Sequence, residues 1–146
     1  MDDLDNTQIQ WQKIRWTLLC VGILLLLILL AFYGPIWRRQ SNPQKAYLSY
    51  NRYLVEKNYE AAFQMLCSET REAGNLDGFG IVQQGYIEKY GELRGFEPAG
   101  EMDTHLPLPG MVAFHEVLLY KRNRVRFILL LKKSGLFWRV WGFVEE

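Results

Sequence analysis

Arg124-Val125-Arg126-Phe127-Ile128-Leu129-Leu130-Leu131 alternates with period two: Val125, Phe127, Leu129 and Leu131 are apolar, while Arg124 and Arg126 point the other way. Such a segment is a strand with one face built to be covered. On either side of it, Arg122-Asn123 and Ser134-Gly135 supply residues that tolerate positive φ, so each reads as a hairpin tip. Strands are therefore expected at Met111 to Lys121 and Leu136 to Val144 as well, with a further short one at Leu93 to Phe96. The last three should form an antiparallel meander.

Upstream of the strands the spacing turns helical. Tyr47, Tyr50 and Leu54 mark one face of a first helix, which follows a polar connector, Gln40 to Gln44, containing Pro43. Asn58 is suited to cap a second helix, in which Tyr59, Ala62, Phe63 and Leu66 fall at i, i+3, i+4 and i+7. A break with Gly74 and Asn75 precedes a third, whose Phe79, Val82, Tyr86 and Tyr90 share a side and which Gly91 stops. Gly85 inside that helix costs about 1 kcal/mol relative to alanine, so close packing against a neighbour is expected there. Helices segregated before strands give an α+β fold, three helices packed across a curved antiparallel four-stranded sheet.

Before this domain lies a run of different character. From Thr17 to Tyr33 no charged residue occurs, and leucine and isoleucine dominate. Between Trp16 and Trp37 an α-helix would rise roughly 33 Å, enough for a hydrocarbon core of about 30 Å. Leu18, Leu25, Leu29 and Phe32 would face lipid, while Trp16, Tyr33 and Trp37 suit headgroup depth. The expected organisation is a tail over 1–15, a transmembrane helix over 16–37, a linker over 38–44 and one domain over 45–146. A cleaved signal peptide fits less well, because the run is long and no small-residue cleavage site follows it.

Composition narrows the function. The net charge of +1, from 17 basic and 16 acidic residues, gives no broad basic field, so no nucleic-acid partner is expected. Cys20 lies in the apolar run and Cys67 stands alone in the domain, which excludes a disulfide framework; no cofactor or metal is expected.

The helix–helix–helix–strands order and Asn58-Tyr59-Glu60-Ala61-Ala62-Phe63-Gln64-Met65-Leu66 resemble the nuclear transport factor 2-like superfamily over Gln44 to Glu146. Phe79 to Tyr90, with Gly85-Tyr86, and the closing Phe137-Trp138-Arg139-Val140-Trp141 resemble small bacterial members. The resemblance implies a cone with a pocket at its wide end. Tethered members resemble assembly subunits of secretion machines, with the domain usually outside the cytoplasm. Lys13 and Arg15 against Arg38, Arg39 and Lys45 nearly balance and lean slightly the other way, so the extracytoplasmic side of a bacterial inner membrane is expected on the resemblance alone.

Enzymes of that superfamily place an acid in the apolar pocket. The candidates here are Asp103 and His105 in a proline-rich loop and His115 and Glu116 in a strand, and the last two point to opposite faces, which argues against a dyad. Ser68, Ser134 and Cys67 lack a recognisable base. No catalytic residue is assigned.

Two surface features remain. The loop from Pro98 to Gly110 offers Met102, His105, Leu106 and Leu108 to a partner. Lys121, Arg122, Arg124, Lys132 and Lys133, with Arg139, read as a basic rim that could meet anionic headgroups of a lipid bilayer. The expected function is a non-catalytic accessory or scaffold subunit of a membrane protein complex. The rival is a tethered pocket protein that binds or converts a small apolar ligand.

Overall fold

A computed structural model describes residues 18–34, 41–104, 106 and 108–146. The chain divides into two compact units, Met1–Trp37 and Arg38–Glu146.

In the first unit, residues 18–34 form helix α1. Its large apolar side chains are exposed throughout, from 43% at Ile28 to 73% at Phe32. Among the described residues no helix is long and apolar enough to cross a membrane. The crossing expected over 16–37 extends past α1 at both ends, and Trp16, Pro35 and Trp37 lie outside the described residues.

The second unit is α+β. Helices α2 (Pro43–Val55), α3 (Tyr59–Gln64), α4 (Ser68–Glu72) and α5 (Leu76–Tyr90) precede strands β1 (Leu93–Pro98), β2 (Met111–Tyr120), β3 (Arg124–Ser134) and β4 (Phe137–Glu145). The sheet order β1-β2-β3-β4 is antiparallel throughout, so the meander takes in all four strands.

Local chemistry sets the helix ends. Asn42, Asn58 and Asn75 each accept a backbone N–H of the first turn with the side-chain oxygen, capping α2, α3 and α5. Pro43, expected in the connector, is instead the first helical residue of α2, where its missing N–H leaves nothing unbonded. Gly91 ends α5 at φ 86° and ψ −175°, a conformation essentially reserved for glycine. A Cβ there would also sit 3.1 Å from Lys121 Cβ. Gly91→Ala is expected to lower stability by about 1–3 kcal/mol, measured as a shift in the denaturation midpoint.

Four expectations change. The second helix stops at Gln64, because the chain turns to pair with β4: Cys67 N–H donates to Val140 O at 2.8 Å and Val140 N–H to Met65 O at 2.9 Å. Leu66 is therefore buried by a parallel bridge to Val140 rather than by helical periodicity. Four helices, not three, precede the sheet, since α4 follows that turn and is fastened by Thr70 Oγ1 donating to Trp141 O at 2.7 Å. Gly85 has no packed neighbour among the described residues, for none outside its own turn of helix lies within 4 Å of where its Cβ would be. Asn123 also keeps negative φ, and of the two tips only Gly135 uses the left-handed region.

The inner face of the sheet carries the core. Tyr47, Tyr50 and Leu54 of α2 join Val112, Leu129, Leu131 and Val140, with Ala62, Met65, Leu66 and Phe79 from the shorter segments and α5. A second cluster lies towards the β2–β3 turn, where Tyr90 meets Leu118, Tyr120, Val125 and Phe127 and Tyr86 packs against them. Tyr47 stacks on Phe114 with centroids 4.5 Å apart and meets Phe96 edge-on at 5.7 Å.

Candidate functional site

Asn51, Gln83 and Glu116 are the buried polar or charged residues of the described chain, and they come together between α2, α5 and β2. Two periodicities aim them inward. On α2, Tyr47, Tyr50, Asn51 and Leu54 fall at i, i+3, i+4 and i+7, so Asn51 sits in the apolar stripe. On β2, Glu116 alternates in step with Val112, Leu118 and Tyr120, which are all buried.

Glu116 is 2% exposed. Asn51 Nδ2 donates to its Oε2 at 2.5 Å, joining α2 to β2 across the core. The hydroxyl of Tyr47 also faces the carboxylate and favours its charged form as a second, weaker donor that falls short of full hydrogen-bond geometry. Tyr50 Oη and Asn51 Oδ1 are likewise buried without a protein partner. Burial pushes the Glu116 carboxyl up to about 7, against which donation from Asn51 and then Tyr47 works only in part. Burial, followed by the nearby Glu116 charge, drives Tyr47 and Tyr50 well above the ordinary phenol value.

Beside Glu116 is a small cavity lined by Tyr50, Leu54, Gln83, Leu118, Tyr120, Phe127, Leu129 and Phe143. The room inside it is about 10 Å³, the space of a single water. The interior thus holds an acid at a core-facing position, with no space for a substrate beside it. Glu116 can exchange a proton there, and a water can bridge it to Tyr50.

The other acid–base candidates are dispersed. His115 lies on the outer face with Nδ1 3.2 Å from Glu146 Oε1, opposite to Glu116. Asp103 forms a two-way backbone bridge with Ala113, both bonds at 2.9 Å, so part of the loop continues the sheet alongside β2. His105 lies outside the described residues. Cys67 is buried beside Thr70, and Ser68 Oγ donates to Glu69. Among the described residues no cluster of three His, Cys, Asp or Glu could hold a metal ion.

The loop leaves Met102 and Leu108 exposed and Leu106 half-buried. The basic residues do not form one rim. Lys121, Arg122 and Arg124 sit at the β2–β3 turn, whereas Lys132 and Lys133 sit at the far end of β3, a separation of roughly 25 Å at strand rise. Arg124 pairs with Glu97, and Lys132 with Glu69. The extended backbone is the reason: at about 3.3 Å per residue, eight residues of one strand carry Arg124 and Lys132 to its opposite ends.

Asn51, Tyr47, Tyr50 and Gln83 were missed as site residues. For Asn51 the signal was present, a polar residue at the i+4 place of an apolar helical stripe. For Glu116 it was the even-numbered apolar series of β2.

No family model, curated protein or solved structure matches the chain.

Proposed function

We propose that this chain is a non-catalytic accessory or assembly subunit of a membrane protein complex, anchored by one helix. The observation that carries the reading is where apolar surface is and is not available. The cavity beside the buried Glu116 has the room of one water, far below the several hundred Å³ of a small-molecule pocket. On the outside, Ile81 is 72% exposed, Leu136 70%, Val144 54% and Trp141 40%. Leu76 and Ile81 also line a shallow open groove with Tyr59. Of these, Leu76 and Ile81 share one groove, and a contiguous exposed apolar face of that kind is what a protein partner covers.

The proposed anchor rests on α1, whose leucines and isoleucines are exposed among the described residues and would be stable in hydrocarbon. The uncharged stretch continues to Thr17. The nuclear transport factor 2-like assignment is part of the same proposal, supported by helices laid over the inner face of a four-stranded antiparallel sheet. So is a bacterial inner membrane with the domain on its outer side. The rival pocket reading gains nothing from a water-sized cavity, and Glu116 without substrate room does not make an active site.

Purifying the full chain from its native membrane in mild detergent is expected to bring down at least one companion in constant ratio. Recovery as a lone monomer would refute the accessory reading, and recovery in the soluble fraction without detergent would refute the anchor.

A further inference from the structure

We propose that Glu116 and the water-sized cavity beside it form a one-proton switch that sets how firmly α2 is seated on the sheet. Every hydrogen-bonding group that α2 buries, Tyr47, Tyr50 and Asn51, is gathered around this one carboxyl. The remaining faces supply no counter-charge: α5 contributes Gln83 and Tyr86, β2 itself Tyr120, and β3 and β4 the apolar Phe127, Leu129 and Phe143. Glu145 reaches the same tyrosines from the end of β4 but is already engaged by Tyr90 and Lys89.

With its proton on, Glu116 is neutral and keeps the Asn51 bond, and a cavity water can accept from Tyr50 while donating to the carboxyl. With the proton off, a charge is left in an apolar interior with no cation beside it, only the Asn51 amide and the weaker Tyr47 hydroxyl as donors, both of them on α2. The least costly relief is for α2 to lift, because the opposing side is a hydrogen-bonded sheet in which β2 is paired on both edges. Burial brings this transition close to neutral pH, where small changes of compartment pH act on it.

Amide hydrogen exchange on the full chain in detergent micelles, corrected for the intrinsic pH dependence of exchange, tests the switch. Protection over Ala46–Leu54 is expected to fall by about tenfold per pH unit between pH 5 and 7 and then to level off. In Glu116→Gln the same segment should show no such fall. Equal protection at pH 5 and 8 in the wild type, or the same fall in Glu116→Gln, overturns the proposal. If that variant does not fold, carboxyl ¹³C shifts of the wild type decide: one glutamate titrating near pH 7 supports it, and none titrating above pH 6 overturns it. Neither outcome depends on what the domain binds.

Discussion

Glu116→Gln will raise the stability of the domain by about 3 kcal/mol at pH 8 and change it little at pH 4. The carboxyl moves from an ordinary 4.5 to about 7 on folding, a rise that corresponds to about 3 kcal/mol of proton-linked stability. The sign follows from which state holds the proton. Below the unfolded value both states are protonated and the wild type has its full stability. Between 4.5 and 7 the folded chain keeps a proton that the unfolded chain has released, so stability drops as pH rises. Above 7 the loss is complete and constant. Glutamine cannot ionise, and it keeps an oxygen for Asn51 Nδ2. Its added N–H groups find Tyr50 Oη and Asn51 Oδ1, two buried acceptors that lack a protein partner. Denaturant unfolding followed by near-ultraviolet circular dichroism across pH measures the difference; parallel wild-type and variant profiles would show that Glu116 ionises normally.

Phe127→Ala is expected to cost about 3–5 kcal/mol. Phe127 is 2% exposed, meets Tyr86 edge-on at 5.3 Å and lies 6.2 Å from Phe143, tying α5 to β3 and β4. It also lines the cavity beside Glu116, so truncation enlarges a void that the rigid sheet cannot close. The loss should appear as a lower denaturation midpoint with an unchanged slope. An effect below about 1 kcal/mol would mean that α5 is not seated on the sheet as described. By contrast, Ile81→Ala, at a site 72% exposed, should stay within about 0.5 kcal/mol.

Much of the domain was readable because its signals are short-range. The period-2 series Val125, Phe127, Leu129 and Leu131 forms β3, and the expected strands agree with the observed ones to within three residues at each end. Asn58 caps a helix and Gly91 ends one, since each acts on backbone groups within a turn of itself. Where a distant segment intervened, the local reading gave way. Leu66 continued a helical spacing, yet two backbone bonds to Val140 were available and the helix ended before it. The loop after Pro98 read as a segment offered to a partner, with no strand pattern of its own, but part of its backbone pairs with the edge of β2 at Ala113.

The candidate site was less legible than the fold. That His115 and Glu116 face opposite ways follows from strand geometry alone; which one faces inward depends on where the helices lie. Asn51 and Glu116 are separated by 65 residues, and no local pattern joins them. By itself, the sequence determined that helices precede an antiparallel set of strands, the cap at Asn58 and the stop at Gly91, and the uncharged leucine-rich run, because each is encoded in periodicity or in one residue's backbone preference. Only the tertiary structure decided that Glu116 is enclosed against Asn51 and Tyr47 of α2, that the cavity beside it has room for one water, and that the basic residues divide between two ends of β3. Burial, cavity volume and charge proximity are set by packing between segments far apart in the chain, and a carboxyl becomes neutral near pH 7 only when such segments close over it.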